Sequence, residues 1–255
     1  MRIGKLAVVA ALAWSGLALA DSYPSRPITF VVPSSAGGGM DVLARALAQE
    51  MGKQMKQAIV VDNRPGAVGM LGASAVAKSK PYGYTVLITH SAPVLNAPFL
   101  YSKVPYDARR DFAYVSKLTI STVIVAVNGE MPARTVKSFL DWAGQHKGTV
   151  SYGSYGIGSL GHLMGSYMSQ SKRLDMTHVA YKGEAPMVQG LVGGEVRLAM
   201  GTLGSLAIRS NALKDRLKML GMEPVGNSSD EFRREFEREA PMVGKRVKES
   251  GATVE

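Results

Sequence analysis

The sequence predicts an α/β protein built from two halves. Three observations carry that prediction. Short β-branched runs alternate with amphipathic helical stretches, which implies sheets of mainly parallel strands joined by right-handed crossovers. Glycine-rich turns follow two of the strands and lead straight into helices. The strand-helix alternation is interrupted near residues 112–127, where two apolar runs stand close together and mark a crossover between the halves.

The chain opens on a segment that is not part of the fold. Arg2 and Lys5 form a basic start, Leu6 to Leu17 an apolar core, and Ala18-Leu19-Ala20 a small-x-small cleavage site. This is an export signal over residues 1–20, cleaved after Ala20, so the mature chain begins at Asp21. The apolar core is short for a membrane span; a retained anchor is the alternative. The chain has no cysteine. A cysteine-free exported protein suits a bacterial periplasm, where a large core replaces disulfide staples.

Losing Arg2 and Lys5 takes the formal charge from +10 to +8. That charge is spread along the chain, with no basic run and no aromatic-interleaved patch. It favours small anions or acidic surfaces. Nucleic acid is excluded as a partner, because export separates the two.

The elements follow in order. Ile28 to Val32 is a buried strand stopped by Pro33. Gly37-Gly38-Gly39 turns, and Asp41 onward opens an amphipathic helix. Ile59 to Asp62 is a second strand, Asn63-Arg64-Pro65-Gly66 a turn, Ala67 to Lys78 a helix, and Thr85 to Thr89 a third strand. Phe112 to Leu118 and Val123 to Val127 read as further strands around Thr119-Ile-Ser-Thr122. A helix starts at Thr135. Val150 to Gly153 is a strand, Ser154 to Gly161 a glycine-rich loop, and His162 to about Ser169 a helix. Met176 to Tyr181 and Val196 to Met200 are strands, with a helix from Ala185 to Val192 between them. Ala212 to Leu220 and Ser229 to Ser250 are helical, the latter capped from within Asn227-Ser228-Ser229-Asp230.

Ser34-Ser35-Ala36-Gly37-Gly38-Gly39-Met40-Asp41 is the strongest candidate site. Glycines let backbone approach a ligand, and a helix N-terminus favours a carboxylate or phosphate. Asp41 also reads as a plain N-cap. The loop lacks Gly-Lys-Ser/Thr and is no Walker loop. Gly156-Ile-Gly158-Ser-Leu-Gly161 matches G-x-G-x-x-G, with Glu184 where a ribose partner would be sought. Export argues against a nicotinamide cofactor, and a second anion-binding corner explains the same residues; no cofactor is expected.

Arg64 either contacts ligand or holds its turn. His162 reads as a capping or core histidine. Lys182, in Lys182-Gly183-Glu184-Ala185-Pro186, either attracts an anion or belongs to an ordinary helix start. No H-x-x-x-H pair exists for a metal, no G-x-S-x-G for a nucleophile elbow, and no pair of acids can be singled out for glycoside hydrolysis. The methionines read as packing residues.

Tyr23-Pro24-Ser25-Arg26-Pro27-Ile28, VVPSSAGGGMDVLARALAQ, VVDNRPGAVG, Lys80-Pro81-Tyr82-Gly83-Tyr84-Thr85 and Val104-Pro105-Tyr106-Asp107 follow one another in an order that resembles the Bug (Bordetella uptake gene) family. The resemblance continues through Asp111-Phe112, Tyr152-Gly153-Ser154 to His162, His178-Val179-Ala180-Tyr181-Lys182-Gly183, and Leu220-Gly221-Met222-Glu223-Pro224-Val225-Gly226. These are the periplasmic solute receptors of tripartite tricarboxylate transporters.

The resemblance implies a two-lobed periplasmic binding protein fold of type II character, with a small carboxylate clasped between lobes. Residues 21–118 would form the first lobe, completed by 211–255, and 119–210 the second. Ser34, Ser35, Ala36, Gly37, Gly38, Gly39 and Asp41 would form the first-lobe carboxylate loop, with Thr89 and Ser91 beside it. Ser154, Gly158, Ser159, His162, Lys182, Gly183, Ala185, Pro186 and Thr202 would come from the second lobe. Partners would be the carboxylate and membrane transporter subunits, and the receptor a monomer rather than an enzyme. The rival from another class is an exported hydrolase using Ser154 or Ser159 with His162; a relic or orphan sensor is a third.

Three departures from the family pattern stand out. Ser34-Ser35-Ala36 replaces the usual Phe and Pro. Gly201 replaces a frequent Asp. Between about Leu206 and Asn211 the family continues for several tens of residues, including a segment like W-x-G-x-x-A-P-x-G-T-P, while here the chain runs directly on. This reads as an internal deletion that leaves the second lobe incomplete and weakens binding.

Overall fold

The structure is a computed structural model and describes residues 23–202, 222–224 and 227–252. The expected export signal, the helix expected over 212–220 and the expected site of a deletion near 206–211 lie outside the described residues.

The architecture is α/β with two separate principal sheets, as the strand-helix alternation implied. In the first lobe β1 (Ile28–Val32) is central. It pairs in parallel with β2 (Ile59–Asn63) on one side and β3 (Thr85–Leu87) on the other, in the order β2-β1-β3. The first crossover is α1 (Gly39–Met55), whose Ala44 and Ala48 pack on Ile28, Phe30 and Val32. The second crossover opens with a tight turn at Ala67–Gly69 and continues as α2 (Met70–Ala77). Its continuous helical reading from Ala67 is broken by Val68, which sits at φ 52°. Met70 and Ala73 of this helix pack on the opposite side of the sheet from α1, with Leu95 and Tyr106.

One expectation fails here, and one element appears where none was expected. Ala92–Asn96 forms a wide helical turn running into α3 (Ala97–Leu100), a stretch the sequence reading left unassigned. Pro93 and Pro98 obscure it in the sequence, yet both stand in a first helical turn, where a missing N–H costs little. Phe112 to Leu118 is not a strand. Phe112 and Tyr114 are side-chain anchors instead, packing on Tyr106 and Phe236, while the Lys117 N–H is taken by the Asn227 side chain. The strand is the polar-flanked β4 (Thr119–Ser121), paired antiparallel with β9 (Met222–Pro224).

The second principal sheet, that of the second lobe, begins with β5 (Val123–Val127). It runs β5-β8-β6-β7, with β6 (Ser151–Ser154), β7 (Thr177–Ala180) and β8 (Leu198–Thr202) parallel and β5 antiparallel. Thr202 ends the ladder opposite Val123. Helices α4 (Val136–Gln145), α5 (Leu160–Ser171) and α6 (Glu184–Val192) cover it. Phe139, Val150, Tyr152 and Met200 fill one face; Met187, Leu191, Val196 and Ala199 fill the other.

The last element, α7 (Ser229–Ser250), starts at a reciprocal cap in which Ser228 and Glu231 satisfy each other's backbone N–H. Phe236 and Ala240 enter the first-lobe core. About two turns further on, Val247 meets Leu100 of the first lobe and Leu163 of the second. The helix therefore ties the lobes together along one side.

Candidate functional site

The first wall of the cleft is the turn between β1 and α1. Gly37 lies at φ 80°, a left-handed conformation that favours glycine. Gly38 caps α1 without a side-chain bond, so the N-terminal N–H groups depend on other partners. Asp41 reaches back from inside the helix. Its Oδ2 accepts from the Gly37 N–H at 2.9 Å and from Arg45 Nε at 3.0 Å. Arg45 also donates to Asn63 Oδ1 at 3.2 Å, and Asn63 Nδ2 donates to the Ser34 carbonyl at 3.1 Å. Burial opposes the charge on Asp41. The bonds from Arg45 and Gly37, with Asn63 beside them, outweigh it and hold the carboxyl below its usual range. Asp41 is thus the staple of the loop.

The Oγ atoms of Ser34 and Ser35, together with Asp41 Oδ1, are shielded from solvent and have no hydrogen-bond partner among the described residues. Leaving such a group unsatisfied costs roughly 1–3 kcal/mol.

The second wall faces this loop. Gly183 sits at φ 124° against Ser35. A Cβ on Gly183 would overlap Ser35 Oγ and come within 3.2 Å of the Ser35 backbone nitrogen. Glu184 opens α6 directly behind it, near Gly38 of the opposite wall. His90 and Tyr155 meet edge to face across the cleft, with ring centroids 5.7 Å apart. His90 Nδ1 accepts from the Ala92 N–H at 3.2 Å, so the neutral ring carries its proton on Nε2. Removal from water pushes its pKa down to about 4. Burial pushes the Tyr155 phenol up, the Glu184 charge acts the same way, and the Leu160 and Gly161 N–H groups act against both. At neutral pH these two rings offer neutral hydrogen-bonding groups, not charges.

The cavity between the walls has a volume of about 1490 Å³. Ser34, Gly38, Gly39, Thr89, Ser91, Lys182 and Gly183 line it, as do His90, Tyr155, Gly156, Ile157 and Glu184. It runs on over the apolar side of the first lobe, past Leu43, Leu47 and Val86. Ser35, Ala36, Gly37 and Asp41 form the loop behind the lining. Ala185 and Pro186 lie outside the lining, within α6, and Thr202 stands at the end of β8.

Ser154, Gly158, Ser159 and His162 form a second layer. Ser154 and Ser159 are 0% exposed. Ser159 caps α5 by accepting from the His162 N–H at 3.3 Å. Ser154 Oγ lies 2.8 Å from His178 Nε2, not beside His162. Neither serine is open to a substrate carbonyl. Among the described residues no group of three His, Cys, Asp or Glu side chains is placed to hold a metal ion.

Sequence reasoning missed His90 and Tyr155. Each follows the end of a strand, which is the one signal that could have found them, since ligands in α/β folds collect beyond carboxyl ends of strands. It also missed the pairing of His178 with Ser154, because that contact runs between neighbouring strands. Arg64 holds its turn, with Nε 2.8 Å from Asp62.

Comparison with known proteins agrees with this architecture. Residues 43–233 match the model of the tripartite tricarboxylate transporter family receptor. A UPF0065 protein from the tcbD-tcbE intergenic region of a Pseudomonas species is 35% identical over 202 residues, covering 79% of this chain and 59% of the relative. BugT of Bordetella pertussis is 33% identical over 178 residues, covering 69% of this chain and 55% of BugT. The chain therefore spans little more than half the length of these curated relatives. Among solved structures, a periplasmic transporter protein superposes with a TM-score of 0.81 at 27% identity, covering 92% of this chain and 100% of that one. Periplasmic binding protein BugD shares the fold, with a TM-score of 0.82 at 22% identity over 91% of this chain and 99% of BugD. A Rhodopseudomonas palustris protein solved with adipate does so with a TM-score of 0.80 at 24% identity over 91% of this chain and 100% of that protein. The family consists of solute receptors, not enzymes, and its members are periplasmic. On the family match and these relatives, the chain belongs to the Bug-type receptors of tripartite tricarboxylate transporters.

Proposed function

We propose that this chain is a periplasmic receptor that clasps a small carboxylate between its lobes and delivers it to membrane transporter subunits. The observation that carries the reading is the buried hydroxyl of Ser34 on the cavity wall, with that of Ser35 behind it against Gly183, both unpartnered among the described residues. A carboxylate accepts hydrogen bonds at both oxygens and suits two such donors. The free N–H groups and dipole at the start of α1 add attraction. Lys182 supplies positive charge from the second lobe, and His90 an Nε2–H. Ser154, Gly158, Ser159 and His162 hold the second wall in shape. Closure by a hinge would then seal the ligand.

The lobe division follows the same reading: residues 21–118 with 211–255 in the first and 119–210 in the second, after removal of residues 1–20. The receptor would act as a monomer. The shortfall near residues 206–211 would leave the second lobe incomplete and lower affinity; a cooperative melt with micromolar carboxylate binding would overturn that part. Relatives of this fold bind adipate and malate, which sets the first panel to try.

Native mass spectrometry of the mature protein from the periplasm tests the whole. A compact charge envelope carrying a small carboxylate is the expected result. Calorimetry with mono-, di- and tricarboxylates then ranks the class. An unfolded envelope without adduct, or a folded one indifferent to every carboxylate, would overturn the proposal. Product formation that depends on His162 would restore the hydrolase reading.

A further inference from the structure

Behind the second wall lies a histidine pair that ligand capture does not use. The rings of His162 on α5 and His178 on β7 stack with centroids 4.1 Å apart and planes at 18°. Tyr152 stacks on the other side of His178 at 4.9 Å. His162 Nδ1 accepts from the Gly158 N–H at 3.0 Å. The carbonyl of that same Gly158 accepts from Asn96 Nδ2 of the first lobe at 2.9 Å, in a buried bond. Beside it, the Tyr101 hydroxyl of the first lobe donates to the Ile157 carbonyl at 3.3 Å. One short loop therefore holds the first lobe with its carbonyls and leans on an imidazole lone pair with its N–H.

We infer that the His162–His178 stack is an acid-operated release for the bond between Asn96 and Gly158, and so for closure of the two lobes. The chemistry is direct. A protonated imidazole is a donor at both nitrogens. Once His162 takes a proton, Nδ1 can no longer accept, and two N–H groups face each other at Gly158. Protonating His178 places like charge on a ring stacked at 4.1 Å. His178 Nε2 also supplies the bond to Ser154, whose hydroxyl reaches the Gly156 carbonyl of the same loop at 3.0 Å. Protonation leaves the Nε2–H bond to Ser154 in place, so the lost Nδ1 acceptor at Gly158 and the repulsion between the two stacked charges are what displace residues 156–158 from the first lobe.

Among the described residues the surroundings offer no counter-charge. Strand β6 presents Tyr152 and Ser154. Strand β8 is uncharged, and Arg197 before it lies 3.9 Å from Glu130. The first lobe presents Tyr101. Helix α7 carries Arg246, Lys248 and Glu249 but meets α5 through Val247 and Ser250. The charge that acts on His178 is that of His162. Burial lowers both imidazoles, and His178 falls to about 4. The sign follows: both rings are neutral near pH 7, and the contribution to closure is lost as pH falls from the ordinary histidine value toward about 4.

The inference rests on the clamp reading but not on the identity of the ligand, and its test reads closure without one. The chain has no cysteine, so spin labels can be placed at Gln54→Cys and Lys147→Cys, two exposed positions on opposite lobes. The expected result is a narrow interlobe distance at pH 7 that lengthens and broadens by pH 4. In the double variant His162→Asn, His178→Gln, whose amides reproduce the acceptor and the donor without titrating, the distance stays short. An unchanged distance in the unsubstituted background, or opening of the double variant over the same range, overturns the inference while leaving the receptor reading intact. Nitrogen NMR of the imidazoles in the natural chain is a second arm that needs no variant. Neutral Nε2–H tautomers at pH 7 support the release; titration of both rings near pH 6.5 overturns it.

Discussion

The Asn96 side chain of the first lobe donates to the carbonyl of Gly158 of the second, 62 residues away in sequence, at 2.9 Å. Asn96 is 5% exposed, so the bond forms out of water and neither group has solvent to fall back on. Replacing Asn96 with Ala leaves the Gly158 carbonyl unpaired, at a cost of roughly 1–3 kcal/mol. The expected outcome is a lower melting temperature together with a wider interlobe distance at pH 7. An Asn96→Ala protein that melts and closes like the parent would show that the bond holds nothing.

Gly161 lies in the first turn of α5, where the helix presses on β8. A Cβ there would overlap the Met200 carbonyl oxygen, which is backbone and cannot swing away. Gly161→Ala should push α5 off its sheet and destabilise the protein by about 1–3 kcal/mol, the usual range for overpacking. Urea denaturation checks this through a lower midpoint at unchanged slope. Gly144 is the control, since a Cβ there meets open space; Gly144→Ala should be neutral or slightly stabilising.

These contacts mark the boundary of what was legible in the sequence. The unit from Ile28 through Gly39 into α1 could be read because strand, turn and helix signals lie within a few residues of each other. The capping of α7 at Ser228 was legible for the same reason. The strand expected over Phe112 to Leu118 was an error of kind. An apolar run can be a row of anchors on a neighbouring helix, and periodicity does not separate that case from a short strand. The Ser34 to Asp41 loop was legible as a glycine turn between strand and helix, but the bonding inside it was not. Asp41 turned inward to Gly37 and Arg45 while the serines remained unpaired. His90 and Tyr155 belong to different lobes, and no local pattern relates them.

Asp41 gives the loop its own pH signature, distinct from that of the histidines. Burial raises the cost of its charge, yet bonds from Arg45, Gly37 and Asn63 bring the pKa below the ordinary aspartate value. A carboxyl held lower in the folded state stabilises above that value and loses the contribution as pH falls through the folded pKa. Asp41→Asn should therefore lower stability at pH 7 by roughly 1.5–3 kcal/mol, the worth of hydrogen bonds to a charged group. It should also flatten the loss of stability below about pH 4. Melting curves from pH 7 to 3 test both parts; a variant with the parent's acid slope would remove Asp41 as its source.

Ser34 and Ser35 allow binding to be separated from folding. Their hydroxyls are buried and unpartnered among the described residues, so replacing them with alanine takes no bond from the protein and removes a desolvated polar group. Ser34→Ala and Ser35→Ala should melt at or above the parent temperature. If a carboxylate is what these hydroxyls await, each variant should lose about 0.5–1.5 kcal/mol of binding, a two- to tenfold rise in Kd. Stability kept with affinity lost would assign the hydroxyls to the ligand. Stability lost in both would mean that they serve the fold through a partner such as bound water, and the first wall would then rest on backbone N–H groups alone.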